Sequence, residues 1–249
     1  MPQKARKVRI DKLLVDRELV STRQKAQALV MGGCVLVDNV PVTKAGQLVY
    51  PNIVIRIKGR AHPYVSRGGV KLEHALKSLD CNVRGKVCMD VGASTGGFTD
   101  CLLQNGATRV YAVDVGYGQL ATKLVRDKRV VMVERANIRH MGSERIPDAV
   151  EVAVIDVSFI SLTLVLPVVE LFLTPGASIV ALIKPQFEVG RELVGKGGVV
   201  RDPESHALAV NKVKEAGLAL GWRFEGVVDS PILGAKGNRE FFIYFKKKI

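Results

Sequence analysis

Five short apolar runs, at 87–90, 110–114, 130–134, 152–156 and 179–184, punctuate the middle of this 249-residue chain. They are continuous rather than alternating, which is the pattern of strands buried on both faces. Helical patterns at 97–105, 119–126 and 161–173 lie between them, and a longer one follows at 203–220. Two more strand-like runs, near 222–229 and 241–247, close the sequence. Such alternation predicts an α/β domain with a parallel sheet covered on both sides. Ligands of these sheets sit at the carboxyl ends of the strands. The residues that fall there are the glycine-rich loop 92–97, then Asp114, Asn137, Asp156 and Lys184. Asp156 and Lys184 each follow a long buried run, where a charge is costly unless paired or functional.

The glycine-rich loop narrows the ligand. Met89 to Phe98 reads as strand, turn and helix, with Gly92, Gly96 and Gly97 permitting close backbone approach. Ala93, Ser94 and Thr95 complete the loop, and Phe98, Cys101 and Leu102 recur at helical spacing until Gly106 stops the helix. Free amides at such a helix start suit a phosphate, or a cofactor carrying ribose and a carboxylate. Asp114, about twenty residues beyond the loop, suits ribose hydroxyls. The loop lacks the Gly-Lys-Ser/Thr of a phosphate-binding P-loop, and it lacks Gly-x-Gly-x-x-Gly. A near match to the P-loop at 190–197 has Gly197 where the magnesium-holding Ser or Thr would stand. The segment 188–202 reads instead as a lid or loop near the site.

Charge points to a polyanion. The formal net charge is +13, and residues 1–60 hold 12 Lys and Arg against 4 Asp and Glu. No apolar run reaches the roughly 18 residues of a membrane span. The nearest, 162–173, contains Pro167 and Glu170. No signal peptide is evident at the N-terminus, and four cysteines without a CxxC pair fit reduced core residues, so a cytoplasmic protein is expected. His62, His74, His140 and His206 are scattered, and no metal is expected.

The basic N-terminal quarter has its own pattern. Ile10, Leu13 and Leu14 give a short amphipathic helix. Ser21 with Gln24 reads as the capping box of a second helix, in which Ala26, Leu29 and Val30 face inward and Gly32 ends the element. A strand at 34–37, a turn at Asp38-Asn39 and an alternating strand through Ile53, Ile55 and Ile57 follow. This segment resembles the S4 RNA-binding domain over almost its whole length. The resemblance implies RNA contact through phosphates and places Arg9, Arg23 and Lys25 on that face. The expected organisation is an S4-like α+β domain at 1–59, a linker at 60–65 punctuated by Pro63, and the α/β domain at 66–249.

The α/β part resembles the class I S-adenosylmethionine-dependent methyltransferases, specifically the FtsJ-like RNA 2'-O-methyltransferases. The matching residues are Ser66-Arg67-Gly68-Gly69-Val70-Lys71-Leu72, the stretches GASTGGFTD, DVGYGQL, SFISL and KPQFEVG, and Asn238-Arg239-Glu240-Phe241-Phe242-Ile243. With the S4 module they resemble the TlyA-type family, often labelled hemolysins. The resemblance implies a Rossmann-like, mostly parallel seven-stranded sheet with an antiparallel terminal strand. It also implies a catalytic tetrad of Lys71, Asp156, Lys184 and Glu240. S-adenosylmethionine is the implied cofactor, held by Gly92, Ala93, Ser94, Thr95, Gly96, Gly97, Phe98, Asp114, Asn137 and Asp156. Asn137 departs from the FtsJ pattern, where aspartate is common, although an amide still pairs with an adenine edge.

The chemistry of that tetrad is coherent. A ribose 2'-hydroxyl is a poor nucleophile and needs in-line approach at close range. Lys184 accepts its proton only as a neutral amine, a form favoured by burial or by a second cation such as Lys71. Asp156 and Glu240 orient the two amines. The resemblance points to a cytidine in ribosomal RNA, with ribosomal subunits as partners; a monomer is expected. The competing readings are a membrane-active hemolysin and a non-catalytic RNA-binding or ribosome-assembly factor. A hemolysin needs a spanning or amphipathic segment.

Overall fold

The computed structural model describes residues 7–20, 22–57 and 62–249, leaving aside the side chain of Ser143. The chain divides between His62 and Pro63 into two compact units.

The first unit contains β1 (Val8–Arg9), α1 (Ile10–Asp16), α2 (Arg23–Met31), β2 (Val35–Val37), β3 (Val40–Val42), β4 (Leu48–Val49) and β5 (Ile55–Ile57). Ile10, Leu14, Ala26, Val30 and Val35 lose all solvent contact and form its small core, with Leu29 partly buried beside them. Asp38 and Asn39 both take left-handed φ values, 49° and 67°. That is the geometry of a two-residue hairpin turn, and it sets the β2–β3 register at Val37 opposite Val40. The α2 cap falls at Thr22, whose hydroxyl accepts from the Lys25 amide at 3.3 Å. Ser21, expected to cap this helix, lies outside the described residues, as do residues 58–61 with the start of the expected linker.

The second unit begins with α3 (Arg67–Ser78) and then alternates β6 (Val87–Val91), α4 (Gly97–Gln104), β7 (Arg109–Val113), α5 (Thr122–Val125), β8 (Val130–Val133), β9 (Val150–Ile155), α6 (Leu166–Val169) and β10 (Leu173–Ile183). It ends with α7 (Pro185–Glu188), α8 (Pro203–Ala219), β11 (Arg223–Asp229) and β12 (Phe241–Lys246). Its seven strands lie in the order β11-β12-β10-β9-β6-β7-β8. The pairs β6–β7, β7–β8, β6–β9 and β9–β10 are parallel, whereas β12 runs antiparallel to both β10 and β11. Strand order therefore reverses between β6 and β9, and their carboxyl ends form the crevice where such sheets bind ligands.

Alternate residues of each strand feed two separate cores. Met89, Ala153, Ile155, Ile179 and Ile243 join one, with Leu166, Val169 and Val213 packed against them. Cys88, Val152, Val154, Val180 and Phe242 join the other, under Leu72, Leu76 and Leu102. Burial on both faces explains why the strands read as continuous apolar runs.

Two local expectations are corrected. The pattern at 161–173 is not one helix: short 3-10 turns at Leu162–Leu164 and Glu170–Phe172 flank the four-residue α6. Pro167 lacks the N–H that would continue a longer helix, and Leu173 already belongs to β10. The pattern at 119–126 condenses to the single turn of α5. In addition, α3 forms across Gly68 and Gly69, a stretch to which the sequence pattern assigns no element. Ser66 starts it by accepting from the Gly68 amide at 3.3 Å, and Leu72, Ala75 and Leu76 bury one face.

Candidate active site

The loop after β6 places backbone against backbone. Gly92 has φ +88°, and a Cβ built there would lie 2.4 Å from the carbonyl oxygen of Asp156. The Asp156 amide donates to Val91 O at 2.9 Å. The start of the glycine loop and the end of β9 are thus locked together at the reversal point. Gly97 permits another close approach, since a Cβ there would meet Ser66 Oγ at 2.2 Å and the Gly69 amide at 3.0 Å. Gly96 (φ +91°) caps α4 and faces Leu120 and Leu124, so it shapes the turn rather than lining the cleft. Phe98 is buried and tilted against Phe242, with one edge on the cleft.

Two clefts share this reversal point. One, of about 240 Å³, is lined by Ser66, Arg67, Lys71, Thr95, Phe98 and Asp156, among others. The second, of about 410 Å³, is lined by Asp114, Val115, Asn137, Ser158 and Phe159 and again by Asp156. Gly92 and Ser94 border both. Their combined shape is an elongated groove across the carboxyl edge of the sheet. Asp114 is fixed at its border, since Oδ2 accepts from the Ser94 amide and Oδ1 from the Gly116 amide, each at 2.7 Å. Asn137 uses Oδ1 to cap the turn at Ile138–His140, which leaves its NH2 group as the donor for the groove.

The four tetrad residues meet here as two ion pairs. Lys184 Nζ lies 2.6 Å from Asp156 Oδ1, with the side chains 12% and 24% exposed. It also donates to Ser158 Oγ at 2.9 Å. Lys71 Nζ donates to Glu240 Oε2 at 2.5 Å, and these side chains are 13% and 2% exposed. Lys71 comes from α3, Asp156 and Lys184 follow parallel strands, and Glu240 immediately precedes antiparallel β12. Its reversed direction brings the residue before β12 to the same edge as the residues after β9 and β10. Such largely buried amines, each tied by a carboxylate, are held in defined positions rather than swept through solvent.

Beneath the loop, Asp90 is fully buried in β6. Its Oδ2 accepts from Thr99 Oγ1 at 2.6 Å, and Oδ1 has no partner among the described residues. Burial pushes this carboxyl up to about 7, and the negative charge of Asp156 adds to the effect.

Several supporting residues carried no separable signal in the sequence. Ser158 reads as one more loop serine, although its spacing from the strand end matches a second contact to the Lys184 amine. Glu188 is buried and accepts from Ser161 Oγ at 2.6 Å and the Leu162 amide at 2.8 Å, tying the loop after β9 to α7. Asn238 is 2% exposed, accepts from the Val200 amide, and donates to Gly198 O and Ala235 O. It pins the expected lid to the segment carrying Glu240. Within that segment Arg191–Leu193 form a 3-10 turn, and an isolated Gly195–Val199 bridge closes a tight turn after it.

In the first unit, Arg9 and Arg23 are half exposed, and both reach Asp11, which is fully buried. Lys25 is exposed on the same helix as Arg23.

Comparisons with known proteins give the family. The FtsJ-like methyltransferase pattern matches residues 64–247, and the S4 domain pattern matches residues 8–55. The chain belongs to the FtsJ-like methyltransferase family and carries an S4 domain ahead of the catalytic one. Within that family it groups with the TlyA-type proteins. It is 44% identical over 243 residues to the 16S/23S rRNA (cytidine-2'-O)-methyltransferase TlyA of Mycobacterium tuberculosis, covering 97% of this chain and 91% of the relative. It is 41% identical over 239 residues to Hemolysin A of Brachyspira hyodysenteriae, covering 96% and 99%. A solved structure from Streptococcus thermophilus, provisionally described as a hemolysin, superposes with a TM-score of 0.78 at 41% identity, covering 98% and 90%. An S-adenosylmethionine dependent methyltransferase from Mesorhizobium loti has a TM-score of 0.51 at 14% identity, covering 70% and 96%, which shows a shared fold.

Proposed function

We propose that this methyltransferase transfers the methyl group of S-adenosylmethionine to a ribose 2'-hydroxyl, of a cytidine in ribosomal RNA, with the S4 domain gripping the RNA. The observation that carries this reading is the pair of lysine–carboxylate contacts, Lys184–Asp156 and Lys71–Glu240, at the carboxyl edge of the sheet. Lys71 and Asp156 line one cleft, so both pairs face the same reacting position. The names of the curated relatives support the choice of a cytidine.

The groove fits the cofactor. It is elongated, it has a carboxylate fixed at its border in Asp114, a free amide donor in Asn137, and a glycine loop pressed against β9. Asp114 would hold the ribose hydroxyls, Asn137 the adenine edge, and the loop 92–97 the amino-acid end. S-adenosylmethionine, when bound, supplies a sulfonium methyl group open to in-line attack. The remaining work falls to the chain itself. Asp156 and Ser158 occupy two directions around Lys184 Nζ, which leaves the third for the substrate hydroxyl. As that hydroxyl attacks, its proton passes to Lys184 Nζ. Lys71 supplies positive potential beside the oxygen as it loses the proton, and Glu240 holds Lys71 in place. Among the described residues no helix is long and apolar enough to cross a membrane.

Transfer of tritiated methyl to small and large ribosomal subunits tests the reading, with Lys184→Ala as control. Alkali-resistant dinucleotides containing labelled cytidine are expected. Label in a base, or equal transfer by the variant, would overturn it.

A further inference from the structure

Resting on the reading that the S4 unit grips RNA, we infer that buried Asp11 is a positioning residue that pre-sets the RNA-binding guanidiniums of Arg9 and Arg23. Asp11 is the second residue of α1 and has no exposed surface. Four hydrogen bonds are donated around it. Arg9 Nε reaches Oδ1 and Arg9 Nη2 reaches Oδ2, each at 3.0 Å. Arg23 Nε reaches Oδ2 at 3.1 Å and Gln27 Nε2 reaches Oδ2 at 3.0 Å. The donors come from β1 and from two successive turns of α2, so one carboxylate ties three stretches of chain together. The Asp11 amide is itself anchored to Ala45 O at 3.2 Å. Hydrogen bonding from Arg9 holds the carboxyl well below the usual range, so it stays ionised.

The consequence lies on the outer edges of the two arginines. Arg9 spends Nε and one Nη2 hydrogen on Asp11, which leaves Nη1 and the other Nη2 hydrogen facing outward. Arg23 spends only Nε. The two side chains are 47% and 57% exposed, so those remaining donors meet solvent. Gly46 completes the seat: a Cβ there would come within 3.3 to 3.4 Å of Arg9 Nη1, Cζ and Nη2, so a side chain at this position would crowd the guanidinium. An unsupported arginine must surrender its rotamer freedom on binding a phosphate. Here the folded domain has already done so, and two planar forks stand at fixed spacing, ready for phosphate oxygens.

The sign of one substitution separates this from simple charge attraction. Asp11→Asn adds one positive charge to the domain. Counterion release alone would then tighten binding to any polyanion. Pre-positioning predicts the opposite for cognate RNA. Purified ribosomal subunits of the type that wild type methylates should bind Asp11→Asn about tenfold more weakly, roughly the worth of one charge-assisted hydrogen bond. Affinity for heparin should hold or rise, and the loss in kcat/KM should fall mainly on KM. Arg9→Lys keeps the charge and lacks the fork, and it should weaken subunit binding about as much as Arg9→Ala. Equal or tighter subunit binding by Asp11→Asn, or full affinity in Arg9→Lys, overturns the proposal. Parallel loss of heparin and subunit binding by Asp11→Asn, with a lowered melting temperature, would assign Asp11 a merely structural role and also overturn it. If Arg9→Ala and Arg23→Ala both bind subunits normally, it is the RNA-gripping role of this face that fails instead.

Discussion

The main chain of Asp156 passes so close to Gly92 that a methyl group on Gly92 would lie 2.4 Å from the Asp156 carbonyl oxygen. The loop that borders the proposed cofactor groove and the carboxylate paired with Lys184 are therefore one mechanical unit. Gly92→Ala adds both this clash and the cost of a side chain at φ +88°. It should destabilise the protein by about 2 kcal/mol or more and lower Tm by roughly 4–8 °C. S-adenosylmethionine affinity, measured by calorimetry, should fall with it. An alanine variant with unchanged Tm and affinity would show that the two segments are free to part.

Lys184 carries the proton in the proposed reaction. Lys184→Ala should lower kcat by about 10²–10⁴-fold, the usual worth of a positioned base. Single-turnover methyl transfer measures it. Lys184→Arg should be nearly as poor, because a guanidinium does not release its charge to become a base. Substantial activity in the arginine variant would reassign the lysine to charge stabilisation.

The Lys71–Glu240 pair permits a separation of stability from chemistry. Glu240→Gln leaves Lys71 buried with no counter-charge, at a cost of about 3–5 kcal/mol typical of broken buried pairs. Replacing both, as Lys71→Met with Glu240→Leu, should recover most of that loss in urea denaturation while methyl transfer stays abolished. Recovery of activity in the double variant would remove the pair from the mechanism.

Asp90 makes stability depend on pH. Its folded-state value is near 7, against an ordinary 3.8, so between these the folded chain holds a proton that the unfolded chain has released. Stability from this group is full in acid and is lost as pH rises from about 4 to about 7. Asp90→Asn keeps an acceptor for Thr99 and carries no charge. Without S-adenosylmethionine, it should be more stable than wild type at pH 8 by about 1–3 kcal/mol, with the gap closing towards pH 4. Identical pH slopes for the two proteins would show that the carboxyl is solvated.

Much of the catalytic fold was legible because a sheet buried on both faces writes itself as unbroken apolar runs, and several runs are ended or followed by residues that border the groove: the loop after β6, Asp114, Asn137 and Asp156. Legibility failed where local pattern and tertiary need diverged. Gly68 and Gly69 argue against a helix, yet α3 forms because Gly69 lies against Tyr64 and Gly97 against Ser66, contacts that a Cβ would obstruct. The apolar stretch at 161–173 had helical spacing, but Pro167 divided it. Glycines of the loop read as space for a ligand, whereas Gly92, Gly96 and Gly97 first make room for other parts of the chain. Asp11 was hidden for another reason. One acid among many bases looks like a charge on a solvated helix, and only the fold shows Arg9, Arg23 and Gln27 converging on it.

The antiparallel course of β12 has a temporal consequence. Lys71, Asp156 and Lys184 all precede Glu240 in the order of synthesis, and Glu240 takes its place beside Lys71 only with β12 between β10 and β11. A copy without residues from 240 onward keeps the S4 domain and the glycine loop but lacks the carboxylate that holds Lys71. In the proposed reaction the last strand thus acts as a check on the catalytic domain, because the four charges are complete only once β12 is in the sheet.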